Sequence, residues 1–326
     1  MKLARRTFLQ FAGAAAATPA LLHIAEADVY PSRPITMIVP FPAGGPADAP
    51  GRVISERMQE SLGQPVIVEN VGGAAGSIGT GRVAHARPDG YTVVLGNSGT
   101  HVMNGAFYSL TYDVSNDFTP VSLLVTTPLV LFARKMMPAK DLQELIDWLK
   151  ANPGKASAGF AAVSFQVINL FFQRETGTRF ALIPYRGTAP GMQDLAAGQI
   201  DLYFTTPLQL PLVRAGSIKA YAVTSDTRLV LAPEIPTFAE LGLPSLSFSN
   251  WYGLFAPKGT PGDIIGKLDE AVVEALAAPG VRTRLVNFGY DIFPREQQTA
   301  EALGAMQKAD AEKWWPIIKT AHIKGG

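Results

Sequence analysis

The chain of 326 residues contains no cysteine. Disulfides, thiol nucleophiles and thiolate metal sites are therefore excluded. It contains only four histidines, His23, His85, His101 and His322. They are far apart, and no HxxxH or HExxH spacing occurs, so a histidine metal centre has no basis. Charge of one sign is also missing. The 28 basic and 27 acidic residues nearly cancel, which argues against nucleic acid or a membrane surface as partner. No apolar run beyond the N-terminus approaches the ~20 residues of a membrane span.

What is present begins at the N-terminus. Lys2, Arg5 and Arg6 precede a mildly apolar run from Phe8 to Ile24, and Ala25-Glu26-Ala27 closes it. This is the anatomy of a secretory signal peptide, residues 1–27. Arg5-Arg6 followed by Thr7-Phe8-Leu9 also fits the twin-arginine variant, and the export route stays open between the two. Cleavage would remove three basic residues and one acid, leaving a net charge of about −1. The remaining length allows one large or two medium domains.

The mature part alternates strand-like and helix-like segments. Ile35–Val39, Val66–Glu69 and Thr92–Leu95 read as strands, separated by helices ending near Leu62 and Ala86. This βαβαβ order predicts an α/β fold with a parallel sheet covered by helices. The middle third repeats the alternation. Two long apolar stretches, Thr119–Ala133 and Ser247–Ala256, lack intervening helices and read as crossings between lobes. On that reading lobe 1 comprises 28–126 plus 252–326 and lobe 2 comprises 127–251.

Catalytic and nucleotide motifs fail one by one. The glycines at 72, 73, 76, 79 and 81 fit no G-x-G-x-x-G frame. Gly96–His101 misses the G-x-S-x-G turn. No carboxylate pair has distinguishing spacing. What recurs is a strand ending in a small, polar loop that opens a helix. Phe41–Asp48, Gly96–Thr100, Ala161–Ser164, Arg186–Thr188 and Thr205–Thr206 are the cases. Free N–H groups at helix starts bind anions, and ligands of open α/β sheets sit beyond the strand ends. Each loop alone is also what ordinary helix capping looks like, and Asp48 reads equally as a cap or dipole partner.

Segments spread along the chain then carry a resemblance. They include Ile38-Val-Pro-Phe-Pro-Ala-Gly-Gly45 with Asp48 and Arg52, Leu62-Gly-Gln-Pro-Val66, Val68-Glu-Asn70 and Pro88-Asp-Gly-Tyr-Thr92. They continue through Ala151-Asn-Pro-Gly154, Pro184-Tyr-Arg-Gly187, Gly198-Gln-Ile200 and Ala256-Pro-Lys-Gly-Thr-Pro261. The chain resembles the substrate-binding receptors of tripartite tricarboxylate transporters, the Bug family. The resemblance implies a type II periplasmic-binding-protein fold of two α/β lobes with the ligand cleft between them. It implies no catalysis and no cofactor, a periplasmic monomer, a small carboxylate ligand and membrane transporter subunits as partners. Carried over by position, the ligand-binding residues are Phe41, Ala43, Gly44, Gly45 and Asp48; Ser98, Gly99, Thr100 and His101; Ala161, Ala162, Ser164 and Phe165; Tyr185, Arg186, Gly187 and Thr188; Thr205 and Thr206.

Two departures from the family pattern stand out. The second-lobe loop, glycine-rich and hydroxylated in the family, is here Gly159-Phe-Ala-Ala-Val-Ser-Phe-Gln166, and Thr205 replaces a common Asp. They point to a less polar ligand, aromatic or long-chain, provided Phe160 and Phe165 face the cleft and not the lobe core. A sensory receptor or a hydrolase or lyase on the same scaffold are the other readings.

Overall fold

A computed structural model describes residues 30–320, so the expected export segment lies outside the described residues. The first part of the chain forms β1 (Ile35–Val39), α1 (Asp48–Leu62), β2 (Val66–Asn70), α2 (Ser77–Ala84) and β3 (Thr92–Asn97). A π-helical turn, Gly99–Met103, runs into α3 (Asn104–Phe107), followed by β4 (Phe118–Pro128). The middle part contains β5 (Val130–Arg134), α4 (Leu142–Ala151), β6 (Ser157–Phe160), α5 (Val163–Thr176), β7 (Ala181–Pro184), α6 (Thr188–Ala197), β8 (Leu202–Thr205), α7 (Leu210–Arg214) and β9 (Ile218–Val223). The last part forms β10 (Ser249–Pro257), α8 (Gly262–Ala277), α9 (Pro279–Asn287), β11 (Asp291–Ile292) and α10 (Ala300–Thr320).

Two sheets result, ordered β11-β4-β10-β3-β1-β2 and β7-β6-β8-β5-β9. Both are mixed. β1 pairs in parallel with β2 and β3, whereas β10 runs antiparallel to β3 and β4. Each strand's period of two feeds two cores. Met37 and Val39 of β1 pack with α1 and α8, while Ile38 between them packs with Val83 of α2 and Leu303 of α10. In the second sheet Leu131 faces α4 and α5, and Val130 and Phe132 face Met192 and Leu195 of α6. Both faces of both sheets are covered, which is why the strands read as unbroken apolar runs. Helix α1 stops where expected, at Gly63, whose φ of 65° is left-handed. No helix among the described residues is long and apolar enough to cross a membrane.

The chain changes sheet twice, at Leu129 between β4 and β5 and at Phe248 just before β10. Thr127, Pro128 and residues 249–251, read from the sequence as lobe 2, therefore belong to the first sheet, because β4 and β10 pair along their whole length. Thr224 joins both crossings. Its N–H donates to Leu129 O (2.8 Å), and its carbonyl accepts from Phe248 N (2.9 Å). Its hydroxyl accepts from Leu129 N (2.8 Å) and donates to Phe248 O (2.6 Å). Thr224 is buried, so water does not compete for these bonds. Helix α10 adds a second tie. Trp251 Nε1 fixes it to the first lobe through Asp310 Oδ2 at 2.7 Å. Trp314, four residues on, sits edge-on to Phe171 and Phe248.

Thr224→Val keeps the shape and removes the hydroxyl, leaving a buried N–H and a buried carbonyl without that partner. A loss of about 2–4 kcal/mol in urea unfolding is expected, at roughly 1–3 kcal/mol per orphaned group. Thr224→Ser should recover most of it.

Candidate functional site

The cleft lies between the lobes, beyond the carboxyl ends of β1, β3, β6 and β7. Phe41, Pro42, Gly45, Pro46, Ala47, Asn97, Asn250 and Tyr252 line it from the first lobe. Ala161, Ala162, Ser164, Phe165, Gly187 and Thr188 line it from the second, and the cavity left between them is about 30 Å³. The lobes meet closely. A methyl group built on Gly99 would lie 3.5 Å from Ser164 Oγ, and one on Gly187 would lie 3.0 Å from the Pro42 ring. A side chain at Gly187 would press on the Pro42 ring, whereas one at Gly99 would reach ordinary contact with Ser164.

The electrostatics come from backbone, not from charged side chains. None of the described lining residues is charged. Helices α5 and α6 start at the cleft, and neither has a side-chain cap or an acid in its first turn. Their first N–H groups and the positive end of each helix dipole are left for a ligand. Helix α1 differs, because Asp48 occupies its first turn.

Two amides add directed donors. Asn97 Oδ1 accepts the N–H of Thr100 at 2.9 Å, and Thr100 Oγ1 in return accepts the Asn97 N–H at 3.1 Å. Asn250 Oδ1 accepts from Ser98 Oγ at 2.5 Å. With both oxygens engaged inside the lobe, the NH2 groups are what Asn97 and Asn250 have to offer the cleft. Uncapped helix starts, NH2 groups and the Ser164 hydroxyl together form a site for an anion, with an apolar surround from Phe41, Pro42, Ala161 and Phe165.

Of the residues expected from the sequence, Phe41, Gly45, Ala161, Ala162, Ser164, Phe165, Gly187 and Thr188 meet at the cleft. The others do not line it. Ala43, Gly44 and Arg186 are exposed. Asp48 lies under the loop, with Oδ2 accepting from Gly44 N and Arg52 Nε and Oδ1 from Asn70 Nδ2, each at 2.8 Å. Burial alone would raise its pKa, but the hydrogen bonds from Arg52, Gly44 and Asn70 outweigh it and hold the carboxyl below its usual range. Asp48 is a loop anchor whose two oxygens accept three hydrogen bonds inside the first lobe. Ser98 and Thr100 are fully buried and spend their hydroxyls on Asn250 and Asn97, and Gly99 lies behind them against Ser164. Tyr185 turns its hydroxyl onto Asp194 Oδ2 at 2.7 Å, and burial with that carboxylate pushes its pKa up to about 12. Thr205 and Thr206 are buried at the end of β8; Thr206 lies beside Tyr290, whose hydroxyl donates to Pro46 O.

His101 is corrected most clearly. Its ring stacks on Phe255 at 4.0 Å and meets Phe118 edge-on, fully buried in the first lobe. Burial drives its pKa down to about 3, so the ring stays neutral and is part of the core. Phe165 both lines the cleft and joins the second-lobe core, while Phe160 only packs on that core. Asn97, Asn250 and Tyr252 were missed. The available signal was an amide placed in each of two apolar strand ends, at Gly96-Asn97 and at Ser249-Asn250-Trp251.

Two α/β lobes closing on an uncharged, donor-lined cleft define a two-lobed solute-binding protein. The chain belongs to the tripartite tricarboxylate transporter family of receptors, which it matches over residues 51–323. It is 39% identical to protein BugT of Bordetella pertussis over 278 residues, 81% of this chain and 85% of BugT. The periplasmic binding protein BugD superposes with a TM-score of 0.87 at 36% identity, covering 91% of this chain and all of BugD. MatC from Rhodopseudomonas palustris, solved with bound malate, gives 0.85 at 37% identity over 89% of this chain and all of MatC. These relatives are receptors, not enzymes.

The buried imidazole gives a test of its place. Its folded-state pKa lies below the unfolded value near 6.5, so its contribution is complete above about pH 6.5 and is lost as pH falls toward 3. Between pH 7 and pH 5 this amounts to about 2 kcal/mol. His101→Phe keeps a ring between Phe118 and Phe255. It should lose that part of the pH slope in denaturant melts and keep ligand affinity unchanged.

Proposed function

We propose that this protein is a periplasmic receptor that captures a carboxylate with an apolar body and delivers it to a tripartite tricarboxylate-type membrane transporter. The observation that carries the reading is the uncharged lining, in which amides, hydroxyls and helix starts stand among aromatic and proline carbons. The carboxylate is held by the first N–H groups of α5 and α6, the Ser164 hydroxyl and the amides of Asn97 and Asn250. A hydrogen bond to a charged group contributes roughly 1.5–3 kcal/mol net, so three or four offset the desolvation of one carboxylate without a cation. MatC holds malate, and family membership supports the carboxylate class. The wall of Phe41, Pro42 and Phe165 supports an aromatic or medium-chain body in this chain. The receptor acts as a monomer, closing by a hinge motion about the two crossings.

Thermal shift of the mature protein with benzoate, octanoate, adipate, malate and citrate tests the reading. Benzoate or octanoate should stabilise most, and ligand at about 100 times its dissociation constant should add about 2.7 kcal/mol. Tightest binding of malate or citrate would refute the apolar body. Ser164→Ala should weaken the preferred ligand by about ten- to a hundredfold, as expected for one hydrogen bond to a charged group, with an unchanged unfolding midpoint in its absence.

A further inference from the structure

Four consecutive residues, Gly73, Ala74, Ala75 and Gly76, have φ of 123°, 45°, 51° and 90°. Two of them carry a Cβ, which the left-handed region disfavours. Such strain persists only where the surroundings over-determine it. Behind the turn stands Asn104, fully buried, at the start of α3. Its Nδ2 donates to Ala75 O at 3.2 Å and to Ser77 Oγ at 3.1 Å. In front of the turn stands the cleft wall. A Cβ on Gly76 would lie 3.2 Å from Phe41 Cζ and 2.7 Å from Thr100 Cγ2, and one on Gly72 would lie 3.2 Å from the Pro42 ring. Phe41 and Pro42 both line the cleft.

We infer that Asn104 is a positioning residue for ligand capture. It touches no part of the cleft, but it holds the strained turn that backs Phe41 and Pro42 and so presets the first-lobe wall. Three features fit this role together. Within the turn, Gly76 N–H donates to Gly73 O at 2.9 Å and Ser77 N–H donates to Ala74 O, and Asn104 supplies the side-chain bond to the Ala75 carbonyl between them. A side chain at Gly76, or at Gly72 just before the turn, would press on Phe41 or Pro42. Asn104 also continues the helical run that begins at Gly99, opposite Ser164, so one side chain ties the wall to the point where the lobes meet. The inference rests on the carboxylate-receptor reading only for its affinity arm.

Three proteins test it: Asn104→Ala, the pair Ala74→Gly with Ala75→Gly, and the triple variant. Hydrogen exchange on the ligand-free proteins is the first measurement. Asn104→Ala should speed exchange at residues 41–45 and 73–77 and leave the second lobe unchanged. Calorimetry with benzoate and with adipate is the second. Asn104→Ala should bind about tenfold more weakly, as expected for a lost buried hydrogen bond. Glycine makes positive φ cheap, so the turn should keep its shape without the anchor. The triple variant should therefore return to within about twofold of wild type.

An Asn104 that only stabilises the fold would accelerate exchange throughout the lobe, and the glycines would not rescue binding. Either result overturns the inference, as does unchanged affinity in Asn104→Ala. Should Asn104→Ala fail to fold, the triple variant carries the test, and its failure to fold or bind would also overturn it. If neither probe binds wild type, the carboxylate reading has failed, and the exchange pattern alone decides this one.

Discussion

The clip at Thr224 is the interaction on which the two-lobed arrangement depends. A chain that leaves one sheet and returns to it must bring two crossings side by side. Here one residue bonds both, through backbone and hydroxyl, at Leu129 and Phe248. That fixes which edges of the lobes are hinged and which strand ends face each other. The faces left to meet carry the ends of β1, β3, β6 and β7. Everything about the cleft follows from that choice. Helix α10 reinforces it by anchoring to Trp251 in one lobe and inserting Trp314 against Phe171 and Phe248 in the other.

An anion in a cleft without cations is a demand on geometry. A guanidinium or ammonium would attract a carboxylate from any direction, whereas N–H dipoles act within about one turn of the helix end. The α5 and α6 starts are therefore kept free of acids and of side-chain caps, while α1, whose start is one loop away, is neutralised by Asp48. Asn97 and Asn250 follow the same logic. An amide presents either an acceptor or a donor, and Thr100 and Ser98 settle the question by engaging the oxygens. The residues around the site thus act on the sign of the potential, not only on its shape.

The order of strands and helices was legible because the central strands are buried on both faces and most helix starts follow a small or polar loop. Helix α1 ending at Gly63 and α6 ending at Gly198 were read from the glycines alone, both left-handed in the structure. The loops at 161–165 and 187–188 were also legible as cleft-forming. The side-chain roles within the loops were not. His101, Thr100 and Ser98 look alike as polar residues after a strand. Whether each faces solvent, cleft or core depends on the π-helical turn at Gly99–Met103, which no spacing announces. Asn250 contributes through a partner 152 residues away in sequence, Ser98. Tyr252 reaches the cleft because β10 returns between β3 and β4, a pairing invisible to local pattern.

A receptor must also release what it binds. Donors divided between the lobes provide for this. The helix starts and Ser164 belong to the second lobe, and Asn97 and Asn250 to the first. An open protein offers the anion only one set at a time, so affinity belongs to the closed state. A ligand shifts an equilibrium only by its difference in affinity for the two states, and on the proposed function that difference is the second lobe's share of the hydrogen bonds. A single buried arginine could hold the anion in open and closed forms alike and would weaken the coupling between occupancy and closure. The absence of charge among the described lining residues is therefore what makes closure report that the site is filled.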